Sequence, residues 1–84
     1  MILKDLDYKL RLLGVNPSQY SLNGELNPDT IVLSHNLSYW NVFYFDERGC
    51  RHNEHYFNSE NEACDYIYSI FEESMSIRKK FNLN

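Results

Sequence analysis

Five of the seven residues from Tyr39 to Phe45 are aromatic, and they fall on both sides of any extended chain. Side chains alternate across a strand, so Trp40, Val42 and Tyr44 project one way while Tyr39, Asn41, Phe43 and Phe45 project the other. A strand apolar on both faces belongs in the middle of a sheet, with one face on the core and the other partly exposed. The flanking sequence supplies its neighbours. Thr30 to Ser34 is β-branched and apolar and reads as a strand, joined to the central one through His35-Asn36-Leu37-Ser38. Asp46 to Gly49 makes the next turn, with Gly49 free to take a positive φ. Arg51 to Phe57 reads as a polar strand in a more solvated position. Tyr20-Ser21-Leu22 is a short alternating segment ended by the tight-turn dipeptide Asn23-Gly24, and Asn27-Pro28-Asp29 is a second turn signal.

Helical periodicity brackets these strands. Ile2, Leu6, Leu10 and Leu13 share one face of an N-terminal helix, with Leu3 beside them. Gly14 is placed to stop this helix in a left-handed conformation, Pro17 prevents its resumption, and Val15 folds back onto the last turn. Ser59-Glu60-Asn61-Glu62 matches the capping box, so a long helix follows it. Ala63, Ile67, Ile70, Phe71, Ser74, Ile77 and Phe81 trace its inner face, with Cys64 and Met75 at the margin. Arg78, Lys79 and Lys80 suit its C-terminal dipole. The expected fold is α+β: an antiparallel β-meander of three to four strands flanked by an N-terminal and a long C-terminal helix, in the order α-β-β-β-β-α. At 84 residues the chain has room for a single domain, residues 1–84. A core this small leaves little space for an enclosed catalytic cleft.

Charge narrows the partners. Residues 20–77 hold ten acids and two bases, a net −8 within a whole-chain charge of −4. Such a body repels phosphate backbones and attracts basic proteins. A helix–strands–helix order is also that of double-stranded-RNA-binding domains, which need basic residues at the start of the final helix. Here that helix opens with Glu60, Glu62 and Asp65, so no direct nucleic-acid binding is expected. Lys4, Asp5, Asp7 and Lys9 interrupt the first apolar stretch, and no signal peptide or transmembrane run is read there. With only Cys50 and Cys64 and no CxxC pair, a reduced cytoplasmic setting is expected and a disulfide is not needed.

The residues that suggest catalysis or metal binding each have a plainer reading. His52 and His55, three apart on a strand, are expected on opposite faces; Cys50 and His52 share one, but no third and fourth ligand is evident. Cys64 near a helix N-terminus is surrounded by Glu60, Glu62 and Asp65, which oppose a thiolate, so it reads as a buried small hydrophobe. Asp46-Glu47 and Glu72-Glu73 are sequence neighbours that diverge in space, unlike a general acid–base pair. No phosphate-cradling loop or nucleophilic triad is present. The chain is therefore expected to have no catalytic residue, no cofactor and no metal.

From Trp40 to Cys64, three elements occur together: Trp40-x-Val42-x-Tyr44, then Glu47-Arg48-Gly49, then Phe57-x-Ser59-Glu60-x-Glu62-Ala63-Cys64. With the preceding Tyr20 to Gly24, this segment resembles a group of small bacterial immunity proteins. These are inhibitors encoded beside polymorphic toxins and contact-dependent growth-inhibition (CDI) toxins. The resemblance implies a non-enzymatic cytoplasmic inhibitor that binds a cognate bacterial toxin domain, often a nuclease, over its basic active site. The matched Trp40, Val42 and Tyr44 read as sheet core, Gly49 as turn, and Ser59 and Glu62 as cap. Toxin-binding residues are expected on the sheet's outer face and hairpin: Tyr39, Phe43, Asp46, Glu47, Glu54 and Tyr56. Glu60, Asp65, Tyr68 and Glu72 on the last helix form a second set. The alternative is a homo-oligomeric structural or adaptor domain, a homodimer in its simplest form, whose outer aromatic face pairs with itself.

Overall fold

The first helix, α1 (Leu3–Leu13), buries Leu6 and Leu10 completely, each contributing roughly 1.5–3 kcal/mol relative to an exposed side chain. It ends at Gly14, whose φ of 87° is open to glycine at little cost. The Gly14 and Val15 amides donate to the carbonyls of Arg11 (3.1 Å) and Leu10 (3.0 Å), which makes a Schellman termination. Val15 is buried as that motif requires. A short 3₁₀ turn, Pro17–Gln19, leads into the sheet.

Four strands follow in the spatial order of the chain: β1 (Tyr20–Ser21), β2 (Thr30–His35), β3 (Trp40–Phe45) and β4 (Arg51–Phe57). β2, β3 and β4 are antiparallel, but β1 runs parallel to β2, with Tyr20 beside Ile31. The sheet is therefore mixed, which corrects the expected antiparallel meander. The reason lies in the two turn signals between β1 and β2. Gly24 (φ 83°) lies in the first turn, where Asn23 Oδ1 accepts from the Glu25 amide; Asp29 (φ 56°) lies in the second. Two reversals restore the original direction.

A second departure lies in β4. Its pairing passes from Val42–His55 to Tyr44–His52, so β4 uses one residue more than β3 over this stretch. Asn53 takes a left-handed φ of 52° there. This bulge puts His52 and His55 on the same face of the sheet, not on opposite faces as regular alternation would.

The long helix α2 (Glu60–Phe81) begins with the Glu62 amide donating to Ser59 Oγ (3.2 Å), one half of the capping box. It lies on the sheet face carrying Leu33 and Val42, where Ala63, Cys64, Ile67 and Phe71 join Leu6 and Leu10 in one core. Cys64 is fully buried in this core rather than at its margin, and Ser74 is exposed. The helices run side by side in the same direction: Leu3 meets Glu60, and Lys9 meets Tyr68 further along. The computed structural model describes the backbone of residues 1–81 and the side chains of residues 1–75. The inner-face positions Ile77 and Phe81 and the basic Arg78, Lys79 and Lys80 lie outside those described side chains.

Candidate functional site

Both helices pack on one side of the sheet, and among the described residues no helix covers the other. This outer face is built from alternate residues of the strands. β3 contributes Tyr39, Asn41, Phe43 and Phe45, with Tyr39 just ahead of the strand; β4 contributes Arg51, Glu54 and Tyr56. A carbon added to Gly24 would stand 3.8 Å from Ser34 Oγ, so the β1–β2 loop lies against the β2 side of this face. On the β3–β4 half Phe43 and Asn41 are buried, while Arg51, Glu54 and Tyr56 are exposed.

Asn41 sits at the middle of that half, opposite Tyr56 on one side and Ser34 on the other. Its Nδ2 donates to Glu54 Oε2 at 2.9 Å, and Arg51 Nη1 donates to the same oxygen at 3.3 Å. The Asn41 bond and then the Arg51 bond hold the Glu54 carboxyl below its ordinary pKa, so it is ionised at neutral pH. The Arg51 guanidinium also lies over the Phe43 ring, 4.4 Å from its centre. Tyr39 and Tyr56 meet edge to face, 5.0 Å apart. Asn41 is only 8% exposed, and its Oδ1 has no hydrogen-bond partner among the described residues. A buried carbonyl in that state costs about 1–3 kcal/mol.

The residues expected to bind a partner divide into three groups. Tyr39, Glu54 and Tyr56 converge on the outer face; Tyr56 is 57% exposed. Phe43 is on this face but 1% exposed beneath Arg51, which corrects its assignment as an exposed anchor. Asp46 and Glu47 occupy the β3–β4 turn. Glu47 is exposed, whereas Asp46 is spent on the turn itself: Oδ1 accepts from the Arg48 amide (2.9 Å) and the Cys50 amide (2.8 Å), and Oδ2 meets His52 Nε2 at 2.6 Å. His52, and then the Cys50 amide, depress its pKa. The third group lies on α2, away from the outer face. Glu60 Oε2 accepts from the Leu3 amide at 2.7 Å and so caps α1, whose own Ile2 offers no side-chain cap. Asp65 lies 3.4 Å from the Met1 amino group. Tyr68 is half-buried under Lys9, and Glu72 is exposed.

Asn41, placed on the outer face by alternation but not among the expected binding residues, and Arg51 are its further members. Asn41 carried a signal: it is the one side chain between Tyr39 and Phe45 that is neither aromatic nor apolar. Arg51 carried none, because its reach to Phe43 and Glu54 depends on the bulge.

Burial, followed by the nearby Glu60 charge, pushes the Cys64 thiol up to about 11, so it stays protonated at neutral pH. No group of three or more His, Cys, Asp or Glu among the described residues is placed to hold a metal ion. No described helix is long and apolar enough to cross a membrane. Comparison with family models, with curated proteins and with solved structures finds no match.

Proposed function

We propose that this chain is an immunity protein: a stoichiometric, non-enzymatic inhibitor that binds a cognate toxin domain in the bacterial cytoplasm. The observation that carries the reading is the outer half-face of the sheet, where Tyr39 and Tyr56 stand beside the ionised Glu54 with no helix over them among the described residues. Paired tyrosines supply rigid contact area at little entropic cost, and the carboxylate beside them selects a basic partner group. The exposed Glu47 at the hairpin extends the same preference, and the net −8 of residues 20–77, five of whose ten acids lie on α2, draws a basic partner to the molecule as a whole. A nuclease domain fits this description, because the surface that grips its substrate is basic. Occupying such a surface blocks substrate without any chemistry in the inhibitor.

The test is co-expression with the toxin domain encoded by the neighbouring gene. A 1:1 complex that survives purification and protects cells from the toxin is expected. Tyr56→Ala combined with Glu54→Lys should weaken that complex by at least about a hundredfold, since each removes a central contact. Absence of both binding and protection would overturn the reading.

A further inference from the structure

We propose that the outer face contains a subsite for one arginine side chain of the partner, formed by Tyr39, Asn41, Glu54 and Tyr56. The inference rests on the reading of this face as a binding surface and names the group it takes. Asn41 decides the polarity of that group. Its Nδ2 donates to Glu54 at 2.9 Å, and turning the amide over would set Oδ1 against the carboxylate, so the orientation is fixed. The atom left without a partner among the described residues is thus an acceptor in a side chain that is nine-tenths buried. What completes it is a donor.

Two further observations favour a guanidinium, with its planar fork of N–H groups, over the point charge of an ammonium. The rings of Tyr39 and Tyr56, 5.0 Å apart and near perpendicular, offer one aromatic face for stacking. The face also already holds a guanidinium in this manner: Arg51 lies on the Phe43 ring and donates to Glu54 Oε2. A second guanidinium on the Tyr56 side repeats that arrangement, using Glu54 and Asn41 Oδ1.

The test uses the full chain, labelled with ¹⁵N, titrated with hexa-arginine and with hexa-lysine. Hexa-arginine should bind about tenfold tighter, the effect of one charge-assisted hydrogen bond, and should shift the Asn41 side-chain amide resonances. Asn41→Leu should abolish the preference for hexa-arginine over hexa-lysine. Tyr56→Ala, at an exposed position, should likewise reduce the preference and serves if Asn41→Leu does not fold. Equal affinity of the wild-type chain for the two peptides, or a preference that survives both substitutions, overturns the subsite while leaving the acidic binding face standing. If neither peptide binds, the reading of the face fails and the subsite with it.

Discussion

Asp46 holds the β3–β4 hairpin through one carboxylate: two turn amides on Oδ1 and His52 on Oδ2. These bonds favour the ionised form, so the folded state has the lower pKa. Its contribution is complete above the ordinary aspartate value of 3.8 and is lost as pH falls through the depressed folded value. Asp46→Ala should therefore lower the melting temperature at pH 6, and the gap from wild type should close as pH drops below 3.8. A gap independent of pH would mean the carboxylate charge is not what holds the turn. At this scale the sequence was legible where alternation rules, as in Trp40, Val42 and Tyr44 against Tyr39, Asn41 and Phe43. It was not legible where one side chain's exposure depends on another's reach. Phe43 looks available until Arg51 is laid across it, and Asp46 looks available until its three partners are placed.

The elements repeat this pattern. Both helices, the capping serine and the glycine stop follow from local spacing, because those signals act within a turn or two of chain. Gly14→Ala tests the stop. An added Cβ meets nothing closer than Met75 at 3.8 Å, so the penalty is conformational, roughly 1–2 kcal/mol for a left-handed residue with a side chain. For a domain this small, each kcal/mol lowers the melting temperature by about 4–8 °C. Gly14→Asn should lose less, since asparagine tolerates that region; an alanine variant as stable as wild type would contradict the account. The parallel direction of β1 does not follow from either turn signal alone, because only the number of reversals before β2 sets it. The Glu60 cap on Leu3 joins residues 57 apart in sequence, a distance that no local pattern reports.

At the scale of the molecule, the helices and the open half-sheet occupy opposite sides. The two sets of residues expected to bind a partner are therefore separated by the core, and one flat partner surface does not reach both. Residues 20–77, which build the strands and most of α2, carry a net −8 against −4 for the whole chain. Association with a basic toxin domain should accordingly slow as salt rises, by about tenfold or more between 0.01 and 0.15 M, as the Debye length shrinks from about 30 to 8 Å. The dissociation rate, set by the tyrosines and the Asn41 region, should change far less. An association rate indifferent to salt would remove electrostatics from the argument.

The extra residue in β4 bears on how the chain avoids its own kind. β4 is the last strand of the sheet, and a terminal strand with free backbone amides invites a neighbour to continue the ladder. The left-handed kink at Asn53 interrupts the regular spacing such a neighbour would have to match, and Arg51 and Glu54 flank it with charge. Growth edge-on into fibrils is disfavoured by the same irregularity that turns His52 and His55 to one side, and visitors are left to approach broadside.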